Sequence, residues 1–217
     1  MTEREREWGY HLFGTRAMHK WLYDQIRERE KKAKKKEREK KKRMTRNFKG
    51  ARYISHQMVF ADVPGKIMVA IYITGCPHKC PGCHSPELWK NKKGKMLNEA
   101  AIDRIYDKYK HGVDGILFMG DSRNRNDILE LAKYIRSKYS FYKIGWYSGF
   151  ESLPHGWRKS KISNFDYIKL GPYKQELGAL NSKTTNQKFY KIIKNESGEI
   201  EMIDRTHCFW RKVFWSV

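Results

Sequence analysis

The sequence has few of the features that mark secreted or membrane proteins. Its 217 residues include four cysteines, three between positions 76 and 83 and one at position 208, which is a poor disulfide framework. It contains no apolar run long enough to cross a bilayer, and its first ten residues alternate acids with bases where a signal peptide would have an apolar stretch. We therefore expect a cytoplasmic protein that works in a reducing compartment and has no membrane contact.

Acidic residues are also scarce. Against 46 Lys and Arg there are 24 Asp and Glu, which gives a formal net charge of +22. Residues 27–46 supply much of the excess, with thirteen Lys or Arg and four Glu. A block of this kind is usually a solvated arm, disordered or loosely helical, and it attracts polyanions through salt-sensitive contacts. Two interpretations stay open: an arm without a specific ligand, or a contact with nucleic acid or another acidic partner.

The composition still allows a folded domain, because 39% of the residues are hydrophobic and 14% are aromatic. Before the basic block, apolar residues between positions 8 and 26 predict a short amphipathic helix. After Gly50 the composition changes to β-branched runs. We predict a basic N-terminal extension over residues 1–50, a folded domain over 51–192 and a C-terminal tail over 193–217.

Strand and helix patterns alternate in the central domain. Apolar runs predict strands over residues 53–63, 67–73, 115–119, 143–147 and 165–170. Helical spacing predicts helices over residues 98–109 and 127–139. This alternation predicts an α/β domain with a parallel sheet, open or partly closed like a fraction of a barrel. Ligands of such sheets bind at the carboxyl ends of the strands, where the cysteine loop and the turns at Gly120, Ser148 and Gly171 fall.

The cysteine loop carries the most specific chemistry. Cys76, Cys80 and Cys83 have the spacing C-x3-C-x2-C directly after an apolar strand. Three thiolates can hold a [4Fe-4S] cluster and leave one iron open to an external ligand. The amino and carboxylate groups of S-adenosylmethionine (SAM) can chelate such an iron, and one electron from the cluster then breaks a carbon–sulfur bond and leaves a 5′-deoxyadenosyl radical.

Zinc is the alternative occupant of this loop, with His78 or His84 as the fourth ligand. A strand before the loop and a βα series after it favour the iron–sulfur cluster, because zinc fingers and ribbons usually have a second ligand pair further on. Cys208 and His207 have no C-x2-C motif beside them. We therefore interpret Cys208 as an ordinary packed or free thiol outside the site.

The loop GCPHKCPGCHSPELW, residues 75–89, resembles the cluster-binding loop of the radical SAM activases of glycyl-radical enzymes. It is most similar to the activating proteins of anaerobic ribonucleoside-triphosphate reductases. The similarity continues through LFMGD, GWYSG, YIKLGPY and SKTTNQKFY, and covers about residues 53–192 in the same order.

This resemblance implies a fold and an activity. The fold would be an incomplete (βα) barrel of the radical SAM type, preceded here by a basic arm, helical or disordered, that has no counterpart in the family. The activity would be that of an oxidoreductase that cleaves SAM and generates a glycyl radical on anaerobic ribonucleoside-triphosphate reductase. An external electron donor such as flavodoxin or ferredoxin would reduce the cluster.

The resemblance also implies which residues surround SAM: Gly82, Cys83, His84, Gly120, Asp121, Ser148 and Gly149. The backbone of residues 82–84 would lie beside the adenine, and the turn at Gly120 would meet the amino group. Asp121 stands where the family usually has a second glycine. The contact therefore depends on whether Asp121 adopts the backbone angles that a glycine would.

Two other functions remain open at this point. One is a different radical SAM reaction on a peptide or small molecule, which the short domain without an auxiliary cluster motif disfavours. The other is a zinc module whose basic arm binds nucleic acid. Trp146 and Tyr147 are interpreted first as packing residues and Asp166 as a capping group, and Asn186 and Gln187 could be turn residues.

Overall fold

The computed structural model describes residues 15–46, 50–90, 93–122, 125–157 and 159–210. The chain divides into two compact units, Met1–Asn47 and Phe48–Val217. In the described part of the chain, no helix is both long enough and apolar enough to cross a membrane.

The first unit contains one long helix, α1, over Thr15–Arg46. The basic block is therefore helical, and every side chain described in it, from residue 18 to residue 36, is exposed. Exposed apolar side chains, Trp21 and Leu22 among them, lie in its first turns. Residues 8–14 of the predicted amphipathic helix lie outside the described residues.

The second unit is built on a mixed sheet of eight strands in the order β3-β1-β2-β4-β5-β6-β7-β8. The strands are β1 Arg52–Val63, β2 Lys66–Ile73, β3 Lys95–Met96, β4 Gly115–Met119, β5 Lys143–Tyr147, β6 Tyr167–Leu170, β7 Lys188–Lys194 and β8 Ile200–Asp204. The helices are α2 Glu99–Tyr109, α3 Arg125–Lys138 and α4 Lys159–Ile162, with 3-10 helices over Pro86–Trp89 and Thr206–Phe209.

The centre of the sheet is parallel, as predicted from the βα alternation. Strands β2, β4, β5 and β6 pair in parallel, whereas β1 and β3 on one side and β7 and β8 on the other pair antiparallel. The α/β class is confirmed, and the sheet is mixed rather than parallel throughout. Strands β7 and β8 were not predicted, because the buried side chains Phe189 and Ile192 of β7 are three residues apart instead of two.

The two faces of the sheet have different coverings. Ile116 and Phe118 of β4 point into the large core that α2 and α3 complete. Leu117, on the opposite face, belongs to a smaller cluster with Met68 and Phe189. Because side chains alternate along a strand, one face holds the helices and the other remains available for a cavity. The predicted domain boundaries at residues 50 and 192 stay predictions; β8 lies beyond the second of them.

Candidate functional site

The cysteine loop leaves the carboxyl end of β2 and is anchored by the short helix that follows it. The backbone N–H groups of Gly75 and Cys76 both donate to the carbonyl oxygen of Leu88, at 2.7 and 3.0 Å. Leu88 is buried in the 3-10 helix over Pro86–Trp89, so the start of the loop is tied to its end. Lys79 has a φ of 48° and is the one non-glycine residue with a positive φ in the described ranges. This conformation, which few side chains favour, turns the chain between the first two cysteines.

All three thiols line one cavity of about 940 Å³. Burial raises the pKa of the Cys76 thiol, and the nearby backbone N–H groups of Asp121 and His78 oppose that rise. The backbone N–H of Ser85 donates to Cys83 Sγ at 3.4 Å. Among the residues that the structure describes, no three His, Cys, Asp or Glu side chains converge on a position for one metal ion.

This donor set fits an iron–sulfur cluster. Thiolates are the protein ligands of such clusters, and N–H groups directed at the sulfurs tune the reduction potential of the cluster. The cavity gives the three thiols a shared space, and Cys76, Cys80 and Cys83 are the side chains that would hold the group. His78 is not free to act as a zinc ligand through Nε2, because that atom lies 2.7 Å from a carboxylate oxygen of Asp121.

The ends of β4 and β5 form another wall of the cavity. His84, Gly120, Ser148 and Gly149 line it together with the cysteines. Gly82 does not; it turns with a φ of 70° against Gln175, whose Oε1 would be 2.8 Å from a Cβ at this position. The roles assigned to these residues in SAM binding stay predictions.

The turn after β4 contains Gly120 and Asp121, and the role of Asp121 in SAM binding stays a prediction. Gly120, not Asp121, has the left-handed backbone of this turn, with a φ of 92°. The carboxylate of Asp121 is fully buried behind the cavity wall, and its Oδ2 accepts hydrogen bonds from three groups. Asp121 therefore does not adopt the backbone angles that only glycine favours, and its distinctive feature is the buried carboxylate.

Lys169 is a site residue that the sequence analysis missed. It lies on β6, lines the cavity and is 8% exposed. Its ammonium group donates to the carbonyl oxygens of Ser148 and Gly171, at 3.3 and 2.9 Å. Burial lowers the pKa of Lys169 to about 8, and the nearby Asp121 and the three cysteines oppose this shift. The sequence feature that could have identified Lys169 is a lysine inside the apolar strand YIKL, because a buried cation usually has a partner or a function.

The residues left open in the sequence fall into two groups. Trp146 is fully buried in the large core, and Asp166 binds Arg136 and Lys143, so both are structural. By contrast, Tyr147 and Gln187 line the cavity.

Two segments outside the strand ends also reach the cavity. The amide of Gln187 donates to the carbonyl oxygen of Gly171 at 3.4 Å, and Asn186 donates to that of Pro172 at 2.9 Å. Cys208 lines the same cavity as the three loop cysteines, and its Sγ lies 3.7 Å from His207 Nε2. The local sequence does not indicate this proximity, because Cys208 lies far along the chain from the cysteine loop.

Comparison with curated proteins finds relatives that carry the same name. The chain is 24% identical over 97 residues to the anaerobic ribonucleoside-triphosphate reductase-activating protein of Enterobacteria phage T4, which covers 42% of this chain and 62% of the phage protein. It is 28% identical over 108 residues to the protein of the same name from Escherichia coli strain K12, which covers 44% of this chain and 68% of that protein. The chain thus spans less than two thirds of the length of the phage relative. These relatives confirm the resemblance that the cysteine loop suggested.

A family model supports the same assignment over a longer stretch. The model of a 4Fe-4S single cluster domain matches residues 63–193, which is more than half of the chain and includes the cysteine loop and the ends of the parallel strands. The chain therefore belongs to the family of 4Fe-4S single cluster domains.

Proposed function

We propose that this protein is a radical SAM activase that generates a glycyl radical on an anaerobic ribonucleoside-triphosphate reductase. The observation that carries the proposal is the meeting of three thiols in C-x3-C-x2-C spacing with a buried ammonium group in one cavity at the carboxyl ends of parallel strands. The names of the curated relatives support the choice of partner.

The cofactors would be a [4Fe-4S] cluster on Cys76, Cys80 and Cys83, and SAM. When bound, the reduced cluster would pass one electron to the sulfonium of SAM, so that a carbon–sulfur bond breaks and the adenosyl fragment takes a hydrogen atom from a glycine of the reductase. The fold would be an incomplete (βα) barrel of the radical SAM type. A cytoplasmic location and an external donor such as flavodoxin or ferredoxin belong to the same proposal.

The residues of this chain would bind the two cofactors and hold them in position. The thiols provide three ligands, and the backbone N–H groups near Cys76 partly offset the burial that disfavours its thiolate form. The ammonium group of Lys169 offsets negative charge on the cavity wall. Ser148 and Gly149 hold the β5 end against the carboxylate of Asp121, which keeps this wall in place.

The experiment that tests the proposal is an anaerobic reconstitution followed by turnover. The chain is loaded with iron and sulfide and incubated with SAM, a reductant and the candidate reductase; we expect 5′-deoxyadenosine and a glycyl radical signal in electron paramagnetic resonance (EPR). Cys80→Ala is the matched control and should give neither. Deoxyadenosine without a radical on the reductase would reject the partner and favour a different radical SAM reaction. Tight stoichiometric zinc without SAM cleavage would reject the enzyme altogether.

A further inference from the structure

The carboxylate of Asp121 joins three loops at the site. Its Oδ2 accepts hydrogen bonds from His78 Nε2 at 2.7 Å, from Ser148 Oγ at 2.9 Å and from the backbone N–H of Gly149 at 2.8 Å. These donors come from the cysteine loop and from the end of β5, while Asp121 itself follows β4. Its Oδ1 is buried and has no hydrogen-bond partner in the described part of the chain. The carboxylate is thus fixed by one oxygen, and removal of it would free three donors at once.

The imidazole of His78 is held from both sides. Its ring packs edge-on against Phe150, with centroids 4.3 Å apart. A Cβ on Gly149 would lie 2.4 Å from a ring carbon of His78, so the ring fits only because residue 149 has no side chain. With Asp121 on Nε2 and the backbone of Gly149 against its side, the ring has little room to turn.

The same two residues reach the first cysteine. The backbone N–H groups of His78 and of Asp121 lie near the Cys76 sulfur and lower the pKa of its thiol, against the effect of burial. The bond between the two side chains therefore fixes the residues on which these two N–H groups lie. Hydrogen bonds to the sulfurs of a cluster are among the factors that set its reduction potential.

We propose that His78 and Asp121 are a pair of positioning residues, a clamp that holds the cysteine loop beside Cys76 in the geometry that an iron–sulfur cluster requires. This inference rests on the cluster of the proposed function but not on SAM cleavage or on the reductase. Residues that orient a metal ligand in this way typically change metal affinity by about 10- to 100-fold when they are replaced.

The test compares cluster retention in full-length variants after anaerobic reconstitution. For His78→Ala and Asp121→Ala we expect iron release to a chelator to be about tenfold faster or more than in the wild type. The double variant should release iron no faster than the single variants, because both substitutions break the same bond. Asp121→Asn should stay close to the wild type, since an amide oxygen can accept from the same three donors.

The reduction potential separates a clamp from general destabilisation. We expect a more negative midpoint potential for His78→Ala, because backbone N–H groups that move away from the Cys76 sulfur stabilise the reduced cluster less. Asp103→Ala is the matched control: Asp103 also accepts three side-chain hydrogen bonds, from Tyr134 and Lys138 of α3 and from Tyr139 directly after it. It should lower the thermal stability and leave the iron release and the potential unchanged.

Three results would overturn the clamp: wild-type release rates and potentials in His78→Ala and Asp121→Ala, the same losses in Asp103→Ala, or additive losses in the double variant. None of these measurements needs SAM or the reductase. Failure of the wild type to cleave SAM would therefore reject the proposed function and leave the clamp standing. A wild type that takes up no iron would reject both.

Discussion

Replacement of Lys169 by Met should stabilise the metal-free chain at neutral pH. Burial is the main reason that the pKa of Lys169 falls from 10.5 to about 8, so the folded protein disfavours the charged form. A depression of about 2.5 units corresponds to about 3 kcal/mol of unfavourable free energy in the folded state. Met fills a similar volume without a charge. The ammonium group would thus be kept at a cost in stability, which is expected of a site residue and not of a packing residue.

The pH dependence has a definite sign. Below pH 8 Lys169 is charged in the folded and the unfolded chain, and the full cost is present. Between about pH 8 and about pH 10.5 the unfolded chain binds more protons, so the stability of the wild type rises with pH. The variant also loses the bonds to Ser148 and Gly171, about 1 kcal/mol each. We expect it to be more stable than the wild type by about 1 kcal/mol at low pH and less stable by about 2 kcal/mol above this window.

Urea denaturation of the reduced, metal-free protein at about pH 7 and about pH 11 measures this difference. Comparison of the two proteins at each pH cancels the titration of all other groups. Lys191→Met, an exposed lysine of β7, is the control and should differ from the wild type by less than about 0.5 kcal/mol at either pH. A stability difference for Lys169→Met that is the same at both pH values would refute the argument, because the buried charge would then contribute nothing.

Three further predictions follow from the site and from α1. Cys80→Ala should lose the EPR signal of the reduced cluster. Cys208→Ala should keep both the signal and four irons per chain, as expected for a [4Fe-4S] cluster held by three cysteines. Equal losses in the two variants would place Cys208 among the ligands. Gly149→Ala should destabilise the chain by about 1–3 kcal/mol in denaturant, because the added Cβ meets the His78 ring at 2.4 Å, and an unchanged midpoint would contradict that packing. If α1 contacts polyanions, replacement of Lys31, Lys32, Lys34 and Lys35 by Gln should weaken duplex DNA binding and reduce its salt dependence in fluorescence anisotropy. Unchanged binding and salt dependence would show that these lysines of α1 make no such contact.

The elements that the sequence predicted well are those with strong periodicity. Strands β2, β4 and β5 are continuous apolar runs, and α2 and α3 have apolar side chains at helical spacing with a polar opposite face. Strands β7 and β8 have no comparable pattern, because each buries only part of one face beside the edge of the sheet. Their pairing is decided by tertiary contacts such as that of Phe189 with Phe209, at 5.0 Å between ring centroids, and local sequence carries little of that information.

The same division holds for the site. The cysteine spacing identifies the candidate ligands, because it is a local property of the chain. The orientation of those ligands depends on residues that are far apart in sequence: Leu88 holds the start of the loop, and Asp121 holds His78 across 43 positions. Asp121 drew attention for its backbone angles, and its buried carboxylate could not be foreseen, since one sequence does not show which donors converge on it.

The two buried charges of the site depend on each other. Asp121 carries a carboxylate with one oxygen that has no partner among the described residues, and Lys169 carries an ammonium group with a lowered pKa. Each alone is costly to bury. The carboxylate of Asp121 is the first of the opposing influences that raise the pKa of Lys169, ahead of the three thiols. An anionic cluster on those thiols would add negative charge on the same side and raise this pKa further. The protonated lysine destabilises the metal-free fold but attracts the cluster once it is bound. Cluster binding should therefore stabilise the wild type more than it stabilises Lys169→Met.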